Sequence, residues 1–194
     1  NSSGIDFTVK QDQILFGLSA IKNLGDSAIK NIIENRNKRG SFKSFSDLCD
    51  RLPSNILNKR NIESLIHCGA LDEFSENNNR AQLFSDLEYV MEWASSRNRD
   101  RISGQGNLFD SISNNENKEF SLSQGSKVED YSLIEKLKLE KQLLGFYLSD
   151  HPLKHLAKQA KLVSPISISQ LEESHDRAKV SLVGMIPDLK QITT

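Results

Sequence analysis

The residues best suited to chemistry lie in SAIKNLGDSAIKNII, residues 19 to 33. Two short helices are predicted there, joined by Asn23, Leu24 and Gly25, with Ala28 as the small residue that lets them pack closely. A tight turn without bulky side chains exposes the backbone N–H groups that open the second helix, from Asp26 and Ser27 onward. Those groups, aided by the helix dipole, can hold an anionic oxygen such as that of a phosphate. Arg36, Lys38, Arg39 and Lys43 follow and place four cations within eight residues, enough to supplement contacts along a nucleic-acid backbone. Nothing in this set would read base edges, so the chemistry points to sequence-independent duplex binding that weakens as salt rises. The bland alternative is that a glycine-linked helix pair is common in all-α proteins and that a charge run is a solvated face.

Other residue types carry less. Cys49 and Cys68 stand at neither metal-finger nor redox spacing and read as reduced core thiols. His151 and His155 are four apart, but Pro152 lies between them and no carboxylate pair is near, so no metal ligand is nominated. No Asp or Glu cluster has a metal-site arrangement, and no catalytic residue or cofactor is assigned. The net charge of -1 provides no global basic field that would drive the chain onto nucleic acid or an anionic membrane. No apolar run approaches the roughly 20 residues that span a bilayer, and no signal-peptide pattern opens the chain, so no membrane partner and a cytoplasmic location are expected.

The elements that must position the turn can be read along the chain. Residues 1 to 18 contain two strand-like runs around Lys10 to Gln13 and predict a short hairpin. Residues 19 to 101 read as helical. A helix over 26 to 38 has Ala28, Ile29, Ile32 and Ile33 at helical spacing and ends before Gly40. Others are expected from Phe45 to Leu52, stopped by Pro53, and from about Asn58 to His67, stopped by Gly69. The longest helix of this half should bury a face of Phe84, Leu87, Met91 and Ala94, supported by Leu83 and Val90.

Periodicity then collapses, and residues 102 to 128 read as an exposed, flexible linker that nevertheless carries the apolar pair Leu108 and Phe109. Residues 129 to 165 resume with capping-box spacing at Ser132 and Glu135 and an apolar face of Leu133, Ile134, Leu137 and Leu144. In residues 166 to 194, Ala178 to Ile186 is rich in β-branched and aliphatic residues and predicts a strand. One strand cannot make a sheet, so the chain reads as a fragment of a longer protein.

The turn at residues 23 to 25 is similar to a helix-hairpin-helix motif, in which two glycines flank an apolar residue. Asn23 stands at the first glycine position, a tolerable departure because Asn enters the left-handed region readily. A second, degenerate copy is read in IESLIHCGALDEFSENNNRAQLF, with Cys68 and Gly69 at its turn. Its Asp72, Glu73 and Glu76 would repel phosphate, so that half is assigned a packing role.

Almost the whole chain resembles the alpha-subunit family of bacterial DNA polymerase III, the replicative C-family polymerases. The resemblance is carried by ILFGLSAIKNLGDSAIKNIIENR, by LIHCGALDEF followed by NRAQLF, and most specifically by EKLKLEKQLLGFYLSDHPL at 135 to 153, where Gln142 and Asp150 depart from the family's usual residues. It implies a mainly α fold: a tandem helix-hairpin-helix domain, a flexible linker, a further helix, and the first strand of an incomplete OB-fold at 178 to 186. It also gives the linker a role. Gln105, Gly106, Asn107, Leu108 and Phe109 look like the pentapeptide with which such polymerases bind the β sliding clamp, Leu108 and Phe109 entering an apolar pocket.

The implied partners are primer-template duplex DNA, the clamp and other replicase subunits. The implied parent is a DNA-directed DNA polymerase using Mg2+ held by carboxylates outside this chain, which would leave this segment catalytically inert. The rival readings are a stand-alone helix-hairpin-helix DNA-repair adaptor and a purely structural helical domain that binds protein.

Overall fold

The computed structural model describes residues 1–53, 55–56, 58–103, 127–164, 166, 170–171, 178–186 and 191. They fall into two units, Asn1–Tyr147 and Leu148–Thr194.

In the first unit, β1 (Thr8–Lys10) and β2 (Gln13–Leu15) pair antiparallel, with Val9 opposite Ile14. Gln11 and Asp12 form the two-residue turn with φ of 49° and 60°, the twist that joins adjacent strands most directly. The chain then passes Gly17, where a Cβ would lie 2.5 Å from the carbonyl carbon of Asp6. Leu18 and Ser19 donate their N–H groups to the carbonyls of Gly4 and Ile5 at 3.0 Å. The first helix expected in the hairpin is only a single 3-10 turn, Leu18–Ala20. Its entry is tied to residues 4 and 5, and the left-handed Asn23 ends the run before a full helix can form.

Four helices follow in close succession. α1 (Asp26–Arg39) buries Ala28, Ile29 and Ile32 and ends at Gly40 with φ 80°. α2 (Phe45–Arg51) is capped by Ser44, whose hydroxyl accepts from the N–H of Asp47, and buries Phe45, Leu48 and Cys49. α3 (Lys59–His67) is capped by Asn58 and buries Ile62, Leu65 and Ile66.

α4 (Arg80–Ser103) packs across α2 and α3. Its buried seam is Leu83, Leu87, Val90 and Ala94. The sequence placed Phe84 and Met91 on that face. The observed 4-3-4 spacing keeps the expected Leu87 and Ala94 and the supporting Leu83 and Val90, leaving Met91 half-buried and Phe84 38 % exposed with its ring 5.0 Å from that of His67.

α5 (Leu133–Leu144) starts with the expected capping box, the Ser132 side chain accepting from the Glu135 N–H while the Glu135 carboxylate accepts from the Ser132 N–H. The expected apolar face is corrected here. Leu137 and Glu140 are buried, Leu143 and Leu144 pack partly, and Leu133 and Ile134 are exposed. A buried carboxylate, held by an ion pair described below, is what turns α5 to this face. The apolar side chains of α1 to α4 form one continuous core, which Leu143 and Leu144 join from α5.

In the second unit, a 3-10 turn at Lys154–Leu156 leads into α6 (Ala157–Val163), with Asp150 and Lys154 paired at 3.1 Å. Residues 178–186 are not a strand. Among the described residues β1 and β2 are the only paired strands, and β-branched composition without a neighbouring ladder does not make one. No helix of the described residues is long and apolar enough to cross a membrane.

Candidate nucleic-acid interface

The first hairpin turn is built from three residues with different tasks. Asn23 takes the left-handed conformation, φ 68°, that its short polar side chain tolerates. Leu24 is buried and anchors the turn in the core between Ile21 and Ala28. Gly25 has φ -73° and ψ 154°, angles open to any residue, and a Cβ built on it meets nothing within 4 Å. Glycine is therefore not required there for folding. What it supplies is bare access to the start of α1.

That start is open. The first N–H groups of a helix have no intrahelical acceptor and sit at the positive end of its dipole. Ser44, Asn58 and Ser132 cap α2, α3 and α5 through their side chains. At α4, Asp130 Oδ1 accepts from the N–H groups of Arg80 and Ala81 at 3.0 and 3.3 Å, and Asn79 Oδ1 accepts from Gln82 at 2.9 Å. At α1, Gly25 offers no side-chain acceptor. Asp26 and Ser27 are exposed, and because Asp26 carries a carboxylate in this first turn, its contribution to an anion is its main-chain N–H.

The second turn is closed. Gly69 has φ 82°, and a Cβ there would lie 2.3 Å from Nη2 of Arg80. The buried Arg80 donates through Nε and Nη2 to Asp72, both at 2.8 Å, and through Nη1 to Glu140 at 3.0 Å. Burial works against the guanidinium's charge, but Asp72 and Glu140 outweigh it and raise its pKa. An internal cation thus fills the neighbourhood of the second turn, which also carries the acidic Asp72, Glu73 and Glu76.

The cations grouped in the sequence are not gathered at the first turn. Arg36, Lys38 and Arg39 occupy the last turn of α1, about 15–20 Å from its start at 1.5 Å per residue. Arg36 is half-buried and donates from Nη1 to the carbonyl of Ser3 at 2.7 Å. Lys38 pairs with Glu34 at 3.3 Å on the surface, and Arg39 and Lys43 are exposed. The loop carrying Lys43 is fastened by Arg51, whose Nη2 donates to the carbonyls of Asn35 and Gly40 at 2.7 and 2.9 Å while its guanidinium lies 4.3 Å from the Phe42 ring centroid.

Two arginines escaped the sequence reading. Arg51 and the exposed Arg60, whose Nη2 donates to Asn23 Oδ1 at 2.8 Å, reach groups as far as 16 and 37 residues away. The i,i+4 spacing to Asp47, with which Arg51 pairs at 3.2 Å, is a local signal for Arg51, whereas no local spacing points to the contact of Arg60. Lys22 and Lys30, both exposed, flank the open turn in the chain. Among the described residues no group of three or more His, Cys, Asp or Glu side chains gathers as for a metal ion. The pentapeptide Gln105 to Phe109 lies outside the described residues.

The family described as the helix-hairpin-helix motif matches residues 1–83. The chain is 37% identical over 193 residues to the DNA polymerase III subunit alpha of Thermus aquaticus, which covers 97% of this chain and 15% of the relative. It is 42% identical over 154 residues to that of Deinococcus radiodurans, covering 79% and 11%. Against that of Bacillus subtilis it is 34% identical over 195 residues, covering 100% and 16%. The chain thus spans between 11% and 16% of the length of these relatives. With a matched hairpin motif at one end and similarity running through α5 to the other, this chain belongs to the bacterial DNA polymerase III alpha-subunit family, as a segment that includes its helix-hairpin-helix region.

Proposed function

We propose that this segment grips duplex DNA without regard to sequence and tethers its polymerase to the sliding clamp. The observation that carries the first half is the contrast between the two turns: the start of α1 is uncapped and open at Gly25, whereas Arg80 fills the second. Residues 23 to 27 would hold one phosphate through main-chain N–H groups. Lys38, Arg39 and Lys43 would meet the backbone again at the other end of α1, with Arg36 holding the chain beneath them.

Support for the second half is positional. Gln105 follows Ser103, the last residue of α4, by two residues, so Leu108 and Phe109 are attached directly to a helix rooted in the hairpin unit. Joining two weak contacts raises the effective concentration of polymerase at the primer end, which is the physical basis of processivity. Nucleotidyl transfer with Mg2+ is the work of carboxylates outside this segment. The whole protein implied by this reading is a cytoplasmic replicase subunit working beside other subunits.

The test is fluorescence anisotropy of the chain with a labelled duplex of arbitrary sequence, between about 50 and 200 mM salt. Binding should fall with salt and weaken in Gly25→Val, and absence of binding at the lower salt rejects the grip. Calorimetric titration with the matching clamp tests the tether. Micromolar binding lost on changing both Leu108→Ala and Phe109→Ala supports it, and equal binding in both proteins rejects it.

A further inference from the structure

We infer that Arg60, which belongs to the second hairpin, is a phosphate ligand of the first hairpin's turn, so that the anion site is assembled across both halves of the tandem. The inference rests on the duplex-binding reading above and adds a residue to it.

Three observations converge. The first is placement. Arg60 stands in the first turn of α3, and its Nη2 lies 2.8 Å from Oδ1 of Asn23, the left-handed residue of the open turn. A guanidinium has five N–H donors in a planar fork, so this bond leaves others available in the solvent-exposed turn.

The second is charge. Asn23 is neutral and does not compensate Arg60, and no carboxylate pairs with Arg60 among the described residues. Its neighbour Lys59 pairs with Glu88, Arg80 pairs with Asp72 and Glu140, and Arg97 and Arg101 both pair with Asp50.

The third is the helix that carries it. Cations are disfavoured at a helix start, yet Lys59 and Arg60 open α3 and no acidic residue lies in its first turn. Glu88 relieves Lys59. Nothing comparable relieves Arg60, whose exposed side chain is not explained by packing either. A phosphate oxygen at the start of α1 would relieve both that repulsion and the uncapped N–H groups. Arg60 is suited to the task because its fork matches phosphate while its tether to Asn23 holds it beside the turn.

The experiment uses the whole chain and a fluorescein-labelled duplex. Arg60→Ala should lower affinity by about tenfold, the loss expected of one hydrogen bond to a charged group, and should reduce the slope of log affinity against log salt by about one. Arg60→Lys should keep the slope while recovering only part of the affinity. A purely structural Arg60 would act by holding Asn23, so Arg60→Ala is repeated in an Asn23→Gly chain, where glycine adopts the left-handed turn unaided.

The same tenfold loss and slope change in that background support the inference. A loss that vanishes there overturns it in favour of a structural role. If Gly25→Val weakens binding and Arg60→Ala leaves affinity and slope unchanged, the turn binds phosphate without Arg60 and the inference alone fails. If the unaltered chain binds no duplex, the duplex-binding reading fails and the inference falls with it.

Discussion

Arg80 and Glu140, sixty residues apart, meet at 3.0 Å with their side chains buried, and that contact joins the second hairpin turn to α5. A buried ion pair is seldom a large net source of stability, but removing one partner strands the other's charge. Glu140→Ala should therefore destabilise the hairpin unit by about 3–5 kcal/mol. Glu140→Gln, which retains an acceptor, should cost less. Urea unfolding followed by circular dichroism measures both, and a near-neutral alanine variant would show that α5 is only loosely docked.

The imidazole of His67 stacks on Phe84 and meets Tyr131 edge-on at 5.9 Å. Burial holds its pKa below the usual range, Arg80 pushes the same way, and Glu63 opposes them. Protonation is thus easier in the unfolded chain. Stability should decline as pH falls from 7.5 through about 6.5 and level off below the folded-state pKa. His67→Gln should flatten that limb in thermal melts taken across pH.

At lower pH a second group takes over. Burial alone would raise the pKa of Asp130, but its pairing with Lys136 and the N–H groups of Ala81 and Tyr131 lower it overall. Its contribution is present above the unfolded carboxyl pKa and is lost as pH falls from about 4 through the folded value. Because the same carboxylate caps α4, Asp130→Asn should lower the melting temperature near neutrality and leave a shallower acid limb.

Gly17 and Gly25 should respond oppositely to alanine. Neither has a positive φ, but a Cβ on Gly17 would lie 2.5 Å from the Asp6 backbone whereas one on Gly25 would meet nothing within 4 Å. Gly17→Ala should cost about 1–3 kcal/mol through overpacking. Gly25→Ala should leave the unfolding midpoint unchanged. Equal stability losses would mean that the turn at Gly25 is packed rather than open.

The two cysteines should be inert until the protein opens. Burial pushes the Cys49 thiol up to about 12, with Asp50 adding to it, and burial pushes Cys68 up to about 11. The thiolate is the reactive form, so iodoacetamide at neutral pH should label neither in the native state and both in denaturant, as mass spectrometry would show.

What could be read from the sequence was local. The bounds of α1 follow from Gly25 and Gly40, the capping box of α5 from Ser132 and Glu135, and the left-handed Asn23 from the conformational tolerance of its side chain. The resemblance carried by residues 135 to 153 identified the polymerase family directly, ahead of a stand-alone repair adaptor. The rest depended on partners distant in the chain. The buried stripe of α4 keeps the expected Leu87 and Ala94 but takes Leu83 and Val90 in place of Phe84 and Met91, because its orientation is set by α2 and α3, which periodicity within α4 does not reveal. The apolar pattern of α5 points Leu133 and Ile134 inward with Leu137, but the residue buried beside Leu137 is Glu140, a carboxylate whose cation lies sixty positions earlier. Residues 178–186 have strand composition, but a strand needs a neighbour that composition cannot supply. At the candidate site, the spacing of Arg36 to Lys43 suggested one cluster with the turn, and the length of α1 separates them.

The guanidinium beside Gly69 sets the stoichiometry of the tandem. With one turn filled internally, only the turn at Gly25 leaves main-chain N–H groups open for the proposed duplex contact, and Lys38 and Arg39 lie one helix length away. A span of about 15–20 Å is roughly half of the roughly 34 Å helical turn of B-DNA. If the unit binds duplex as proposed, its footprint is therefore short and confined to one stretch of backbone, which a footprinting experiment would read as protection of less than one helical turn.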